Sequence, residues 1–193
     1  MQEYIVNNLS TKFLGRKIIY FDSIESTHIF AKKLKVRDLV DGMIILANNQ
    51  TGGIGTHDRK WYTGQEMNLS FNIVLLPNCE VRKISRLTVI IAECIKKVLN
   101  DLYSIETQIK KPNDIMLNGK KMAGILTEST AIGDIVKRIY IGIGINVNQE
   151  SFPGNLDLIA TSLKKEYLKD FRREQILLNF LEIFEKEYEK ILK

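Results

Sequence analysis

The sequence QIKKPNDIMLNGKKMAGILTE, at residues 108–128, predicts a pair of strands that carries several polar and charged groups. The Asn-Gly pair at 118–119 accepts the positive φ angles of a tight turn, so two strands are predicted to meet there. Lys110 then ends a strand before Pro112, and the Asn-Asp pair at 113–114 lies on the bend. Such a hairpin gathers a cation, a carboxylate and an amide, which suits an anionic substrate and a metal-bound phosphate. The alternative is a surface hairpin that carries solvated lysines.

The composition is typical of one globular domain. The 193 residues are 45% apolar and 26% charged, which is enough for a good-sized core. The net charge of +5 is spread along the chain without a basic arm, so no nucleic-acid partner is predicted. Cys79 and Cys94 are far apart with no histidine cluster nearby, which favours reduced thiols in a cytoplasmic protein. No signal-peptide pattern and no run near about 18 apolar residues is present, so no membrane association is predicted.

Hydrophobic periodicity predicts alternating strands and helices. Residues 1–15 are polar and irregular and are interpreted as a lead-in segment before one domain at 16–193. The predicted strands, besides those of 108–128, are 17–21, 42–47, 68–76 and 137–147. The main predicted helices are 28–36, 82–99 and 171–192. This order indicates an α/β or α+β fold with a mixed sheet flanked by helices.

Two loops carry polar groups suited to a ligand. Ser26 and Thr27 stand at a strand-to-helix turn, where hydroxyls and free backbone N–H groups bind polar ligands, although plain helix capping is the favoured interpretation from these residues alone. Loop 48–61 has three glycines within 52–55, which allow close approach of the backbone. It lacks the Walker ending and the full dinucleotide fingerprint, so both of those sites are excluded. The polar run 57–60 is interpreted as ordering the loop, because no nucleophile or second metal ligand accompanies it.

Five segments occur in the order seen in biotin protein ligases. They are FDSIESTH at 21–28, QTGGIGTHDRKW at 50–61, KKPND at 110–114, KKMAGIL at 120–126 and GIGIN at 142–146. The last three closely match the KWPND, KLAGIL and GIGIN signatures of that family. The similarity extends over roughly residues 15–150. It implies the catalytic-domain fold of the biotin and lipoate ligase superfamily, a mixed sheet flanked by helices.

The resemblance implies an enzyme that joins the biotin carboxylate to the α-phosphate of ATP with Mg²⁺. The products are biotinyl-5′-AMP and pyrophosphate, and the biotinyl group then passes to one lysine of a biotin carboxyl carrier protein domain. Lys110 is implied as the catalytic cation, which offsets repulsion between the two anions. The implied biotin-binding residues are Ser26, Thr27, Gln50, Gly53, Trp61, Gly142 and Gly144. The implied ATP- or adenylate-binding residues are Arg59, Lys60, Asn113, Asp114, Lys121 and Asn146. Of these, Asn113 and Asp114 are also the implied Mg²⁺ ligands.

Three departures from the family pattern carry expectations of their own. Ile54 and Thr56 stand where the family loop GRGRxGR has its first two arginines, which predicts looser retention of the acyl-adenylate and leakage of activated biotin onto nearby lysines. Lys111 replaces the aromatic residue of KWPND, so one pocket wall is expected to differ. The chain ends at Lys193, so neither a C-terminal small β-barrel domain nor an N-terminal DNA-binding domain is expected, and transcriptional regulation is not predicted.

Two alternative functions remain open. The first is ligation of lipoate or octanoate, because GGIGTHD is similar to the GGGxVxHD loop of lipoate ligases, although it is one residue short. KPND and GIGIN favour biotin, and a straight aliphatic acid would need only an apolar tunnel. The second is a non-catalytic protein that binds biotin or its adenylate. A protein that only binds biotin would not need the phosphate side of the site, which is formed by Lys110, Asn113, Asp114 and Lys121. Family members often form homodimers through sheet edges, and the sequence does not decide between monomer and homodimer.

Overall fold

The computed structural model describes residues 1–64 and 66–192. The strands are β1 Ile18–Ile24, β2 Met43–Gln50, β3 Leu69–Leu75, β4 Cys79–Glu80, β5 Gln108–Lys110, β6 Asp114–Leu117, β7 Lys120–Ile132 and β8 Ile135–Ile145. The α-helices are α1 Gln2–Asn8, α2 Thr27–Lys33, α3 Leu87–Tyr103, α4 Leu156–Ile159, α5 Leu163–Tyr167 and α6 Arg173–Leu192. Short 3₁₀ helices cover Val36–Asp38, Thr56–Asp58 and Val81–Ile84.

The strands form one mixed sheet with the order β1-β2-β3-β8-β7-β6-β5, and β4 pairs with one end of β8. β1 and β2 are parallel, whereas the other neighbouring pairs are antiparallel. The predicted mixed sheet flanked by helices is confirmed. Asn118 and Gly119 have φ angles of 49° and 78°, so the predicted tight turn is also confirmed.

The stretch 108–128 contains three strands, whereas the sequence predicted two. β5 and β6 are joined by a turn at residues 111–113, and β6 and β7 by the turn at 118–119. Asp114 was expected on the bend, but it is the first residue of β6 and pairs with Lys110 and Gly124. The extra strand was not predicted because Pro112 and the Asn-Gly pair are separated by only a few residues, which is too short for a clear strand pattern.

The two faces of the sheet are covered by different helices. α3 and α6 pack against one face, where Phe71 of β3 meets Phe180 of α6 with ring centroids 5.8 Å apart. α2 packs on the opposite face, where Ala31 joins a smaller buried cluster with Val74 and Tyr140. Side chains alternate between the faces of a strand, so Ser70, Asn72 and Val74 of β3 lie on the α2 face. Within residues 1–64 and 66–192, no helix combines the length and apolar character needed to cross a bilayer.

The expectation of irregular structure in residues 1–15 is wrong for Gln2–Asn8, which forms α1. Ile5 and Leu14 are fully buried in the main core, and α1 packs against α6. The burial depends on a helix more than 150 residues away in sequence, which local polarity could not show. The first residues are therefore part of the core packing.

A buried carboxylate holds this N-terminal segment in place. Glu185 of α6 is 6% exposed and accepts hydrogen bonds from the backbone N–H groups of Lys12, Phe13 and Leu14, at 2.7, 2.9 and 3.0 Å. Burial acts to raise the pKa of this carboxyl, but the three N–H donors outweigh it and leave the pKa below its ordinary value. The ionised form is therefore the one that stabilises the fold.

Replacing Glu185 by Gln is expected to lower the free energy of unfolding at pH 7 by about 2 kcal/mol, because charge-assisted hydrogen bonds to buried donors are lost. The pKa is depressed in the folded state, so this contribution is present above the unfolded pKa of about 4.3 and is lost as the pH falls through the folded value. Urea denaturation at pH 7 and pH 3 measures both effects. The control is Glu189→Gln, which removes a surface pair with Lys12 and should change little. Equal effects of the two variants would contradict the prediction.

Candidate active site

The site is built on one row of residues that crosses the sheet. Cross-strand pairing aligns Lys110, Asp114, Gly124, Gly144 and Ser70 on consecutive strands. Directly opposed residues of antiparallel strands point to the same face, so all five positions lie on the α2 face. The row places a cation and a carboxylate beside two glycines, where the sheet surface is bare.

Trp61 fills the space above those two glycines. A Cβ at Gly144 would lie 2.6 Å from Cζ2 of Trp61, and a Cβ at Gly124 would lie 3.0 Å from Cζ3. Trp61 is fixed at its backbone, because its N–H donates to the Gly53 carbonyl at 2.8 Å. A Cβ at Gly53 would lie 2.6 Å from the Trp61 carbonyl oxygen, so Gly53 is required by this close approach. The indole is therefore held against the sheet by glycines on three segments.

The first pocket lies between this indole and the start of α2, with about 420 Å³ of empty space. Ser26, Thr27 and Gln50 provide its polar groups, and Gly142 and Gly144 provide bare backbone. The Gln50 Oε1 atom accepts from the Thr27 N–H at 2.8 Å and from the Thr27 hydroxyl at 3.0 Å. The Ser26 hydroxyl accepts from the Ile29 N–H at 3.4 Å, which is the capping role favoured from the sequence. The pocket thus offers both donors and acceptors.

A second pocket of about 720 Å³ adjoins the first. Gly55, Thr56, Trp61 and Lys121 line both pockets. The rest of the second pocket is lined by cationic, amide and apolar side chains, among them Arg59, Lys60, Asn146, Phe152, Leu156 and Ile159. The lining therefore combines positively charged and apolar side chains, which suits a ligand with phosphates and a planar base.

Lys121 stands at the junction of the two pockets. Its Nζ atom lies 2.6 Å from Oδ1 of Asp114 and 5.5 Å from the centroid of the Trp61 ring. The side chains of Lys121 and Asp114 are 32% and 21% exposed, so the pair is partly shielded from water. Beside them, Asn113 donates from Nδ2 to the Ile125 carbonyl at 3.0 Å, which leaves its Oδ1 atom for other partners. The junction holds one cation and two oxygen ligands.

His28 also lines the first pocket, although it is not among the site residues predicted from the sequence. It is 3% exposed, accepts at Nδ1 from the Asn72 amide at 2.9 Å, and lies with Nε2 3.1 Å from Oε2 of Glu128. Burial lowers the pKa of His28 below its ordinary value, although the Glu128 carboxylate opposes this. Burial also acts to raise the pKa of Glu128, but Lys32 and His28 outweigh it and lower the pKa. A neutral imidazole that donates from Nε2 satisfies both contacts.

Comparison with known proteins shows which family this chain is similar to. The model of the biotin/lipoate A/B protein ligase family matches residues 20–146, which include the lining residues of the first pocket and the row across the sheet. The chain belongs to this family. The resemblance drawn from the five sequence segments is confirmed.

The relatives of this biotin/lipoate ligase family member include ligases from several bacteria. The chain is 38% identical over 182 residues to the bifunctional ligase/repressor BirA of Bacillus spizizenii, covering 93% of this chain and 56% of that protein. It is 30% identical over 128 residues to the biotin–[acetyl-CoA-carboxylase] ligase of Mycobacterium tuberculosis, covering 64% of this chain and 46% of that protein. The chain therefore spans about half the length of these curated relatives.

A solved structure shows the same fold. The biotin protein ligase from Aquifex aeolicus, in complex with biotin and ATP, superposes with a TM-score of 0.78 and is 28% identical. The match covers 91% of this chain and 71% of that one. Two ligands are thus bound by a protein with this architecture, and this chain has two adjoining pockets.

Most of the residues expected at the site line one of the two pockets, and three of them do not. Ser26, Thr27, Gln50, Trp61, Asn113, Lys121, Gly142 and Gly144 line the first pocket, and Arg59, Lys60 and Asn146 line the second. Gly53 and Asp114 lie behind these linings, in contact with Trp61 and Lys121 respectively. Lys110 is exposed and lies outside the linings formed by the described residues, at the end of the row. Gly124 was not predicted, although its pairing with Gly144 makes room for Trp61.

The oxygen ligands at the junction fit a magnesium ion that arrives with a nucleotide. Among residues 1–64 and 66–192, no group of three or more His, Cys, Asp or Glu side chains is placed to hold a metal. Mg²⁺ bound with substrate phosphates usually needs only one or two protein carboxylates. Asp114 and the Oδ1 atom of Asn113 provide such a set beside the cationic pocket.

Proposed function

We propose that this chain is an ATP-dependent biotin protein ligase of the cytoplasm. It activates biotin as biotinyl-5′-AMP, releases pyrophosphate, and transfers the biotinyl group to a lysine of a biotin carboxyl carrier protein domain. The observation that carries this proposal is the junction of two pockets at Lys121, one suited to a polar ring and the other to a nucleotide. The biotin and ATP of the Aquifex aeolicus complex support it.

The first pocket would bind biotin. The ureido group of biotin has N–H donors and a carbonyl acceptor, and Ser26, Thr27 and Gln50 offer the complementary groups in a site with little exposed surface. The bare backbone at Gly142 and Gly144 leaves room for the fused rings. The carboxylate of the side chain would then extend past Trp61 to Lys121, where both pockets meet.

The second pocket would bind ATP, with its base against the apolar wall and its phosphates near Arg59 and Lys60. Asn113 and Asp114 would hold Mg²⁺, which supplies positive charge to the phosphates when it is bound. The Trp61 Nε1 and Asn146 Oδ1 atoms are buried and have no hydrogen-bond partner among the described residues. A bound nucleotide or adenylate would satisfy such groups, since buried polar atoms are rarely left unpaired.

In the first step, a carboxylate oxygen of biotin attacks the α-phosphorus of ATP, the bond to the β-phosphate breaks, and pyrophosphate leaves. Two anions approach one another in this step, so Lys121 at the junction lowers the barrier by offsetting their repulsion. In the second step, a lysine amine of the carrier attacks the acyl carbon, AMP leaves with the electron pair of the broken bond, and the amine loses a proton. This step depends mainly on holding the two reactants together.

The test is ATP–pyrophosphate isotope exchange with Mg²⁺, run separately with biotin, lipoate and octanoate. Exchange with biotin alone is expected, and transfer of biotin to a purified carrier domain should follow. Exchange with lipoate or octanoate instead would assign the chain to the other branch of the family. Biotin binding without exchange would contradict the enzyme proposal and leave a biotin-binding protein.

The loop at Thr56 carries a prediction about leakage of the intermediate. Thr56 lines both pockets with a short side chain where the family pattern has an arginine. Thr56→Arg is expected to lower biotin labelling of a bystander such as serum albumin by about tenfold, because a cation beside the adenylate slows its release. Labelling is measured by streptavidin blot at matched rates of pyrophosphate exchange. The control is Thr56→Val, which keeps the size and adds no charge. Unchanged labelling in Thr56→Arg would contradict the prediction.

A further inference from the structure

We propose that His28 is an acid-binding residue that fixes the position of the acid's ring in the first pocket, with both ring nitrogens held by Asn72 and Glu128. The proposal rests on the proposed function, since it concerns the acid that the pocket binds. It assigns a role to a side chain that the two-step reaction described above does not use.

His28 is placed by three neighbouring segments. It follows Thr27 in the first turn of α2, so its backbone is fixed next to the hydroxyl and amide groups of Ser26, Thr27 and Gln50. Its ring lies over Gly142, where a Cβ would be only 3.1 Å from Nδ1. The ring therefore forms a wall of the pocket in direct continuation of the polar groups suited to an acid's ring.

Both ring nitrogens of His28 are committed to the protein. Nδ1 accepts from Asn72 of β3 at 2.9 Å, and Nε2 lies 3.1 Å from Glu128 of β7. Glu128 is itself paired with Lys32, one turn further along α2. The ring is thus held from two strands and its own helix, which fixes its rotation as well as its position. A wall held in this way keeps one position and one orientation beside the bound acid, because both of its ring nitrogens are restrained.

The arrangement requires a neutral imidazole. The charged groups near the ring are Glu128 and Lys32, and the Tyr140 ring of β8 lies with its centroid 6.5 Å away. Protonation would place an N–H at Nδ1 against the Asn72 amide hydrogens, so that contact would break unless the amide rotated. Burial lowers the pKa of His28, which favours the neutral form at pH 7. The His28 ring should therefore lose its fixed position only at acidic pH.

Two variants separate the two contacts. His28→Asn places an amide oxygen near the Nδ1 position and keeps an acceptor for Asn72, whereas His28→Gln places an amide nitrogen near Nε2 and keeps a donor for Glu128. Neither side chain titrates. His28→Ala removes both contacts, and Lys33→Gln, at an exposed position on the same helix, is the control. Biotin affinity by calorimetry, the separate KM values for biotin and ATP in the exchange assay, and thermal melting are measured for each full-length variant.

His28→Ala is expected to raise KM for biotin at least about tenfold and to leave KM for ATP within about twofold, since a buried hydrogen-bonded wall of the acid pocket alone is lost. Wild-type affinity for biotin should fall at a pH below about 6.5, the ordinary pKa of histidine, and His28→Asn should not show this fall. The Asn variant should bind biotin more tightly than the Gln variant if Asn72 is the contact that sets the ring.

Three results would overturn the inference. They are an unchanged KM for biotin in His28→Ala, equal losses in the KM values for biotin and ATP, or the same acid-dependent fall in His28→Asn as in wild type. If His28→Ala does not fold, the Asn and Gln variants still decide the first two points. Wild-type protein that neither binds biotin nor supports exchange would contradict the proposed function, whereas normal wild-type binding with unaffected variants would contradict only the role of His28.

Discussion

Lys121→Ala is expected to lower the rate of biotin-dependent ATP–pyrophosphate exchange by about 10²–10³-fold, the usual effect of removing one group that stabilises developing charge. Lys121 lines both pockets and its Nζ atom is 2.6 Å from Asp114, so the cation is already directed to the junction. The loss should be in kcat, because the repulsion it offsets is greatest as the carboxylate meets the α-phosphate. Initial rates at saturating biotin and ATP measure this.

Two neighbouring lysines provide matched comparisons. Lys120→Ala removes the adjacent cation, whose Nζ donates to the Asp157 carbonyl at 3.1 Å away from the junction, and should leave exchange nearly unchanged. Lys110→Ala tests the lysine that the resemblance implies as the catalytic cation. Lys110 is two strand spacings, about 10 Å, from Gly124 in the row, so its long side chain has to extend over Asp114 to reach the junction at Lys121. We expect Lys110→Ala to lower the exchange rate less than Lys121→Ala does. A larger effect of Lys110→Ala would show that Lys110 provides most of the positive charge that offsets the repulsion.

Local chemistry explains why much of the fold was predictable. The Asn-Gly turn at 118–119, the amphipathic face of α3 and the capping hydroxyl of Ser26 are each determined by a few neighbouring residues, and all three are present. The five motif segments also placed most of the residues that line the two pockets. These features depend only on the sequence around each residue, so they can be predicted from local sequence patterns.

Features that depend on strand register were not predictable in the same way. Gly124 faces Gly144 only because β7 pairs with β8 in one particular register, and nothing near Gly124 indicates the indole above it. The contacts of His28 with Asn72 and Glu128 join residues 44 and 100 positions away. The burial of Ile5 likewise depends on packing of α1 against the distant α6. A local pattern contains no information on such partners.

Gly144→Ala is expected to raise KM for biotin by about 10–100-fold, equivalent to about 1–3 kcal/mol of overpacking in a closely packed site. The added methyl group would lie 2.6 Å from Cζ2 of Trp61, a separation that the indole can relieve only by leaving the sheet. The backbone of Trp61 is tied to Gly53 by a 2.8 Å hydrogen bond, so the ring would have to rotate into the pockets that it lines. Titration of biotin in the exchange assay, with thermal melting of the same sample, measures the effect.

A double-mutant cycle with Trp61→Ala isolates the cause, because removing the indole removes the clash. Gly144→Ala should then add little to the loss of biotin binding already caused by Trp61→Ala. Such non-additive effects on KM would show that Gly144 is needed because the Trp61 ring packs against it. Gly124→Ala is the graded comparison. Its Cβ would be 3.0 Å from Trp61 Cζ3 and 3.1 Å from the flexible Lys121 Cε, so a smaller loss is expected. Additive effects of Gly144→Ala and Trp61→Ala on KM would mean that the added methyl group contacts the acid directly and does not act through the indole.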